Sequence, residues 1–379
     1  MIYFDSAATT LQKPSTVPTA VARAIQQCSS PGRGDSEASR RAEQVMYACR
    51  TELMELFEAS GPEQVVFTQN ATHALNLAIR TLVHPGDIVL ISGWEHNAVT
   101  RTLASIPEVK IRVAEALLFD DAGTIQAFEQ GLLEQPAAVV CTCVSNVFGY
   151  MLPIKEIASA CLQKKVPLIL DASQAAGCLP LSMKTLGAAY MAFPGHKGLY
   201  GPQGTGVLLC GSQQEPLNPI LTGGTGSESM RQEMPLFLPD RGEAGTQNVA
   251  GVAGLLAGVR YVRRTGVNRI ARHEQRLMGQ LKQGLQSIPE VRFFASESQN
   301  QAGVLSLICP EIDCQSLAGN LGKRGIAVRG GLHCAPVAHR SAGTLDTGTV
   351  RVSFSAFNTP EEVDSFLRIL KQIVHHKLT

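Results

Sequence analysis

The chain of 379 residues is poor in charge and poorer still in aromatics: 17% of its residues are Asp, Glu, Lys or Arg, 5% are aromatic, and tryptophan occurs once. Its 33 Lys and Arg nearly cancel its 32 Asp and Glu, so neither a nucleic-acid nor a membrane-surface partner is implied. No charge-free apolar run is long enough to cross a bilayer, and the opening MIYFDSAATT enters a strand-like segment with no basic stretch or apolar leader. The expectation is a soluble, cytoplasmic protein. The ten cysteines include no C-x-x-C pair and have no His-x-x-x-His companion, which suggests neither a zinc site nor a disulfide framework. Most are expected to be small buried hydrophobes, Cys141 and Cys143 among them on one face of a strand.

What the chain does have is apolar residues, 44% of the total, arranged in short runs. VVFT (65–68), DIVLIS (87–92), AAVVCTCVS (137–145), PLILDAS (167–173), AAYMAF (188–193) and TGVLLC (205–210) are nearly continuous, as strands buried on both faces require. Amphipathic stretches such as IKEIASACLQKK separate them and read as crossover helices, which gives an α/β fold with a mostly parallel sheet. After Val249 the texture changes to long helical runs, then short strands and a closing helix, PEEVDSFLRILKQIVHHK, acidic at its start and basic at its end. The division expected is an arm over 1–14 that packs with the small domain, a large domain over 15–257, and a smaller α+β domain over 258–379.

Several residues carry chemistry. Lys197 lies in the glycine-rich loop AFPGHKGLYGPQGTG after a strand, where partial burial lowers an amine's pKa and makes it a candidate Schiff-base residue. Asp171 closes the run PLILD, at the strand end where open α/β sheets bind ligands, and an acid there can pair with a pyridinium nitrogen or cap the following turn. Gln174, one helical turn later, can reach a ring substituent. In VVFTQNATHALNLAIRTL a strand runs through Asn70 and Ala71 into a helix whose free amides favour an anion, with the Thr72 hydroxyl beside them. His96 follows another strand, placed to stack on a ring and shuttle a proton. Cys334 sits on the loop RGGLHCAPVAH, where His333 and Arg329 can lower a thiol's pKa. Arg351, in GTVRVSFSAFNT, offers a planar guanidinium for a carboxylate.

In this order, YFDSAATT, NATHALNLA, EHNAV, VSNVFG, LDASQAAG, GHKGLYGPQG, GEAGTQN, RGGLHCAP and VRVSFSAFNT resemble the class V aminotransferase superfamily of fold type I pyridoxal-phosphate enzymes. Within it the chain is most similar to the cysteine desulfurases and selenocysteine lyases. The resemblance implies Lys197 as the cofactor's covalent anchor, Asp171 on the pyridine nitrogen, Gln174 at the phenolic oxygen and His96 on the ring. It implies phosphate contacts from Ala71, Thr72 and His196, with Thr246 reaching across from a second subunit of a homodimer. Arg351 and Asn146 with the backbone near Ala8 would meet the substrate carboxylate, helped by Arg329, and Cys334 would be the nucleophile that takes up sulfur as a persulfide. Asn146 would also lie against the cofactor.

The short interval between Cys334 and Arg351 resembles the subgroup with a compact catalytic loop. Two positions depart from the pattern: Pro194 stands where many relatives carry a hydroxyl residue, and Gly32 where some carry a histidine, which leaves more of that role to Arg33. The expected activity is conversion of L-cysteine to L-alanine with transfer of sulfur to the enzyme and then to a protein acceptor. A selenocysteine lyase, a class V aminotransferase that never uses Cys334, and an inactive scaffold of the same fold are the alternatives; Lys197, Asp171 and Cys334 together speak against the scaffold.

Overall fold

The computed structural model describes every residue except 33, 213–215 and 377–379. In chain order the elements are β1 (Ile2–Tyr3), α1 (Thr16–Gln27), α2 (Glu37–Phe57), β2 (Val65–Thr68), α3 (Ala71–Leu82), β3 (Ile88–Ser92), α4 (Asn97–Ala104), β4 (Lys110–Ala114), α5 (Asp121–Gly131), β5 (Ala138–Thr142), α6 (Ile154–Lys164), β6 (Leu168–Asp171), α7 (Met183–Leu186), β7 (Tyr190–Pro194) and β8 (Gly206–Cys210). After a long irregular stretch come α8 (Val249–Thr265), α9 (Val267–Leu285), β9 (Arg292–Phe294), β10 (Val304–Ile308), α10 (Cys314–Lys323), β11 (Ile326–Ala327), β12 (Arg329–Gly331), α11 (Pro336–Ser341), β13 (Thr349–Ser353) and α12 (Pro360–His376).

Seven strands form one sheet in the order β2-β8-β7-β6-β5-β3-β4. All neighbours are parallel except β8, which runs antiparallel to both β7 and β2. The strands β5 to β8 are buried along their whole length because helices cover both faces, and successive residues alternate between two cores. Val139 and Cys141 join the core that includes α2 and α8, whereas Ala138 and Val140 join the one built on α3 and α4. Each of the six apolar runs read from sequence contains a strand of this sheet. The seventh strand, β4, was not among them: it is the sheet's edge, and Lys110, Arg112 and Val113 face water, so no apolar run marks it.

A second sheet, antiparallel in the order β12-β13-β10-β9, packs with α9, α10 and α12 around a separate core. The N-terminal arm belongs to this layer: β1 pairs in parallel with β11, and Phe4 lies edge-on to Phe354 and Phe366, at 5.0 and 5.8 Å between ring centroids. Gly258 lies inside α8, where a Cβ would come within 2.2 Å of Leu199 O; its lack of a side chain lets α8 lie against the loop that carries Lys197. Among the described residues no helix is long and apolar enough to cross a membrane.

One buried ion pair ties three pieces of the large layer together. From α2, Arg50 donates Nη1 and Nη2 to Glu243 Oε1 and Oε2 at 2.8 and 2.7 Å, and the guanidinium lies 4.4 Å from the Phe67 ring centroid. Glu243 Oε1 also accepts from Phe67 N on β2, at 2.6 Å. Removing one partner of such a pair strands the other's charge away from water. Glu243→Ala is therefore expected to cost about 3–5 kcal/mol of folding free energy, and the paired change Arg50→Met with Glu243→Leu much less; urea titrations of both proteins measure the difference.

Candidate active site

Because β2 and β7 run in the same direction as β3, β5 and β6, these five strands, with the outer strand β4, end on one edge of the sheet, and the five build the site. Each end delivers a residue that the sequence singled out: β2 leads to Asn70–Thr72, β3 to His96, β5 to Asn146, β6 ends in Asp171, and β7 leads to His196 and Lys197. The second sheet adds Arg329, Cys334 and Arg351, and the arm adds Ala8. All of these except Asn70 were expected site residues, and all line a single cavity of about 210 Å³, together with Gln174 and His333. A larger groove between α1, α2 and α8, about 800 Å³, is lined among the described residues by four arginines and no carboxylate, and none of the expected site residues that are described reaches it.

The Lys197 loop is braced from both sides. Gly195 N and Gly201 N close it through Thr205 O and Gly195 O, each at 2.8 Å, and the Thr10 hydroxyl donates to His196 O at 2.9 Å. It lies so close to the turn after β6 that a Cβ on Gly198 would sit 2.5 Å from Ala176 O. Burial pushes the Lys197 amine down to about 8, partly opposed by the carboxylate of Asp171. Asp171 is buried, and its Oδ1 accepts from Ser173 N at 2.9 Å. It thus turns the backbone as a capping residue would, while the carboxylate still lines the cavity.

His96 caps α4: Nδ1 accepts from Ala98 N at 3.0 Å, which leaves the proton on Nε2. Burial lowers its pKa, with Asp171 opposing and Lys197, Arg351 and Arg329 assisting, so the ring is held neutral. Asn70 caps α3 by accepting from His73 N at 2.9 Å, and the first-turn residues Ala71 and Thr72 face the cavity. His196 is likewise held neutral by burial, at about 4, and its Nδ1 pairs with Thr9 Oγ1 at 2.9 Å. Gln174 donates its amide to Ala7 O at 3.0 Å.

Arg351 is buried on β13. Nη2 meets Asp5 Oδ1 at 2.7 Å, Nη1 donates to Asn146 O at 3.0 Å, and Nε has no partner among the described residues. Asp5 is a site residue that sequence reasoning passed over; the signal was the only acid of the arm, set directly after the apolar Ile2–Phe4 and 346 residues from its partner. Ala8 lines the cavity, but its amide already donates to Asp5 O at 3.0 Å. Cys334 is exposed at the cavity wall on the loop before α11.

Three further expectations concern Thr246, Arg33 and His333. Thr246 is exposed in a separate cleft with Phe67, Gln69 and His73. Arg33 lies outside the described residues. His333, expected to help ionise the thiol, is buried, and burial together with Arg351 and His339 holds its pKa far below the ordinary range. A neutral imidazole brings no positive charge to Cys334: the loop buries His333 and leaves Cys334 exposed.

The sequence model of the Aminotransferase class-V family matches residues 2–366. The chain belongs to the class V aminotransferases. This class V chain is 33% identical to a probable cysteine desulfurase of Mycolicibacterium paratuberculosis over 98% of its own length and 55% of that protein's. It is 32% identical to a probable cysteine desulfurase of Methanothermobacter thermautotrophicus, over 98% and 94%. The chain thus spans little more than half of the mycobacterial relative and nearly all of the archaeal one. The solved apo structure of a cysteine desulfurase from Thermococcus onnurineus NA1 superposes with a TM-score of 0.90 at 30% identity, covering 99% of this chain and 95% of that one. The class V α/β fold with a mostly parallel central sheet is shared with that structure.

An amine buried below its ordinary pKa costs stability while charged. Without cofactor, Lys197→Met is expected to be more stable than the parent at pH 7, by roughly 2 kcal/mol after allowance for solvent. The sign follows from linkage: the folded pKa of about 8 lies below the unfolded 10.5, so the folded state binds fewer protons between them and the parent gains stability as pH rises through that window. Denaturant titrations should find the gap closing between pH 8 and 10.5.

Proposed function

We propose that the protein is a pyridoxal-phosphate-dependent cysteine desulfurase that converts L-cysteine to L-alanine and receives the sulfur on Cys334. The observation that carries this reading is the presence of Lys197, Asp171, Arg351 and Cys334 around one small cavity. An aminotransferase has no need of a thiol there. The cysteine desulfurase names of relatives similar over the whole chain support it.

The donor set fits the cofactor. Lys197 offers a partly neutral amine to its carbonyl carbon, Asp171 a carboxylate to its ring nitrogen, and His96 a neutral ring to stack on it, with Asn146 alongside. Gln174 would reach the phenolic oxygen. Ala71, Thr72 and His196 would hold the phosphate, with Thr246 of a second copy completing it in a homodimer. Pro194 lines the cavity and offers no side-chain donor there. When bound, the cofactor supplies an electron sink for negative charge at the substrate's α-carbon.

The chain's own groups do the rest. Arg351 and Asn146 fix the substrate carboxylate, Arg351 through the guanidinium edge that Asp5 leaves open, and Arg329 adds positive charge from the rim. Lys197 Nζ takes the α-proton, for which an amine with pKa about 8 is suited near neutral pH. The Cys334 thiolate forms an S–S bond to the substrate sulfur while the Cβ–S bond breaks, and its electron pair stays with the three-carbon fragment, which takes a proton to become alanine. Cys334 thiol and cysteine become Cys334 persulfide and alanine, so atoms and electrons balance without an external oxidant. A protein acceptor would then remove the sulfur, and we place the enzyme in the cytoplasm. The boundary between a large and a small domain is best set at Gly266, between α8 and α9, because a division at Gly258 would cut α8.

Cys334→Ala is expected to abolish alanine formation from cysteine while the α-proton still exchanges with solvent, since that step belongs to Lys197. Selenocysteine, with its weaker carbon bond and more acidic leaving atom, should retain part of its turnover. Alanine assays with both substrates, beside α-proton exchange in deuterated water, check this; alanine from cysteine at the parent rate would overturn the role of Cys334.

A further inference from the structure

His333 and Cys334 both occupy the left-handed backbone region, with φ 51° and 57°, where an L side chain crowds the following carbonyl. Two such residues in succession persist only if their surroundings hold them there. Three backbone anchors do so: Ala335 N closes the turn on Leu332 O at 2.9 Å, Asn97 N donates to Cys334 O at 2.7 Å, and Asn146 Nδ2 donates to His333 O at 2.8 Å.

The fourth anchor is the imidazole. Nε2 lies 3.1 Å from Thr349 O and 3.2 Å from Thr349 Oγ1. A carbonyl oxygen only accepts, so Nε2 carries the proton and donates. Thr349 stands two residues before Arg351 on β13, and Arg351 Nη1 in turn donates to Asn146 O at 3.0 Å. The bonds therefore close a circuit: Arg351 to Asn146, Asn146 to His333, His333 to Thr349, and back along β13 to Arg351. The guanidinium that would hold a substrate carboxylate and the turn that presents the thiol are attached to this one circuit.

We infer that His333 is a positioning residue, a strut that fixes the span between Arg351 and Cys334 and so selects amino acids whose sulfur lies one carbon beyond Cα. The inference rests on the desulfurase reading for its substrate, but the strut itself is a property of this chain. Homocysteine, longer by one methylene, would carry its sulfur past a thiol held at that span. With the strut removed, the strained turn relaxes and the thiol no longer stays in register with either substrate.

Three variants test this. His333→Leu keeps bulk without a donor, His333→Asn tolerates the left-handed turn but is too short for Thr349, and His333→Gln can place an amide donor where Nε2 lies. Amide hydrogen exchange over residues 330–336 in the cofactor-free protein should speed up in the Leu and Asn variants and stay at the parent rate in Gln. In the holoenzyme, persulfide and alanine formation from cysteine should fall about tenfold or more in Leu and Asn, and the preference for cysteine over homocysteine should narrow. The α-proton exchange should hold within about twofold in all three, and Gln should recover most of the desulfuration. The inference is overturned if His333→Asn keeps the parent rate and preference, or if α-proton exchange falls in step with desulfuration, which would mark a merely structural role. Altered hydrogen exchange in a protein whose parent makes no alanine from cysteine would leave the strut standing, overturn the proposed function, and remove the strut's assigned role in substrate choice.

Discussion

The Lys197 amine is largely withdrawn from water into a cavity that it shares with the Asp171 carboxylate, and the elements around it keep it there. Left alone, such an amine either gives up its proton or pulls in solvent. Here Asp171 opposes the loss of the proton while Arg351 and Arg329 favour it, and burial decides the balance. The amine is kept reactive because the sheet's C-terminal edge is covered: the arm, β13 and the Cys334 loop close over a site that a bare parallel sheet would leave open to water.

The cover also orients a charged group. Arg351 is buried with one nitrogen on Asp5 and another on a backbone carbonyl, so its guanidinium is held in one orientation. Asp5 in turn belongs to the arm whose β1 pairs with β11 and whose Phe4 fills the second core. The N-terminal residues, the C-terminal strand and the Cys334 loop are thereby one mechanical unit. It lies over a second unit that holds Lys197, Asp171 and the N-terminal turn of α3.

Much of this was legible in the sequence, and the reasons are physical. Strands buried on both faces must be apolar at every position, which is why β2, β3 and β5 to β8 stood out; β4 faces water on one side and did not. The residues at the strand ends were legible because an amine, an acid and an imidazole are unusual neighbours for such apolar runs. The helical run from Val249 was legible as well, and the start expected for the smaller domain, near Gly258, lies within the helix it forms, α8. His333 was read as a cation beside a thiol; only burial, which no local pattern reports, reveals a neutral ring anchored to Thr349. Asp5 and Arg351 lie 346 residues apart, and nothing in either neighbourhood names the other.

In the proposed reaction sulfur leaves cysteine for Cys334 and no other thiol. Incubating the holoenzyme with L-cysteine in the absence of reductant, trapping with an alkylating reagent and mapping the peptides by mass measures this directly. One added sulfur is expected on the peptide containing Cys334, formed in step with alanine, and none on the other cysteines. Alanine produced while Cys334 stays unmodified, or sulfur found on a different cysteine, would contradict it.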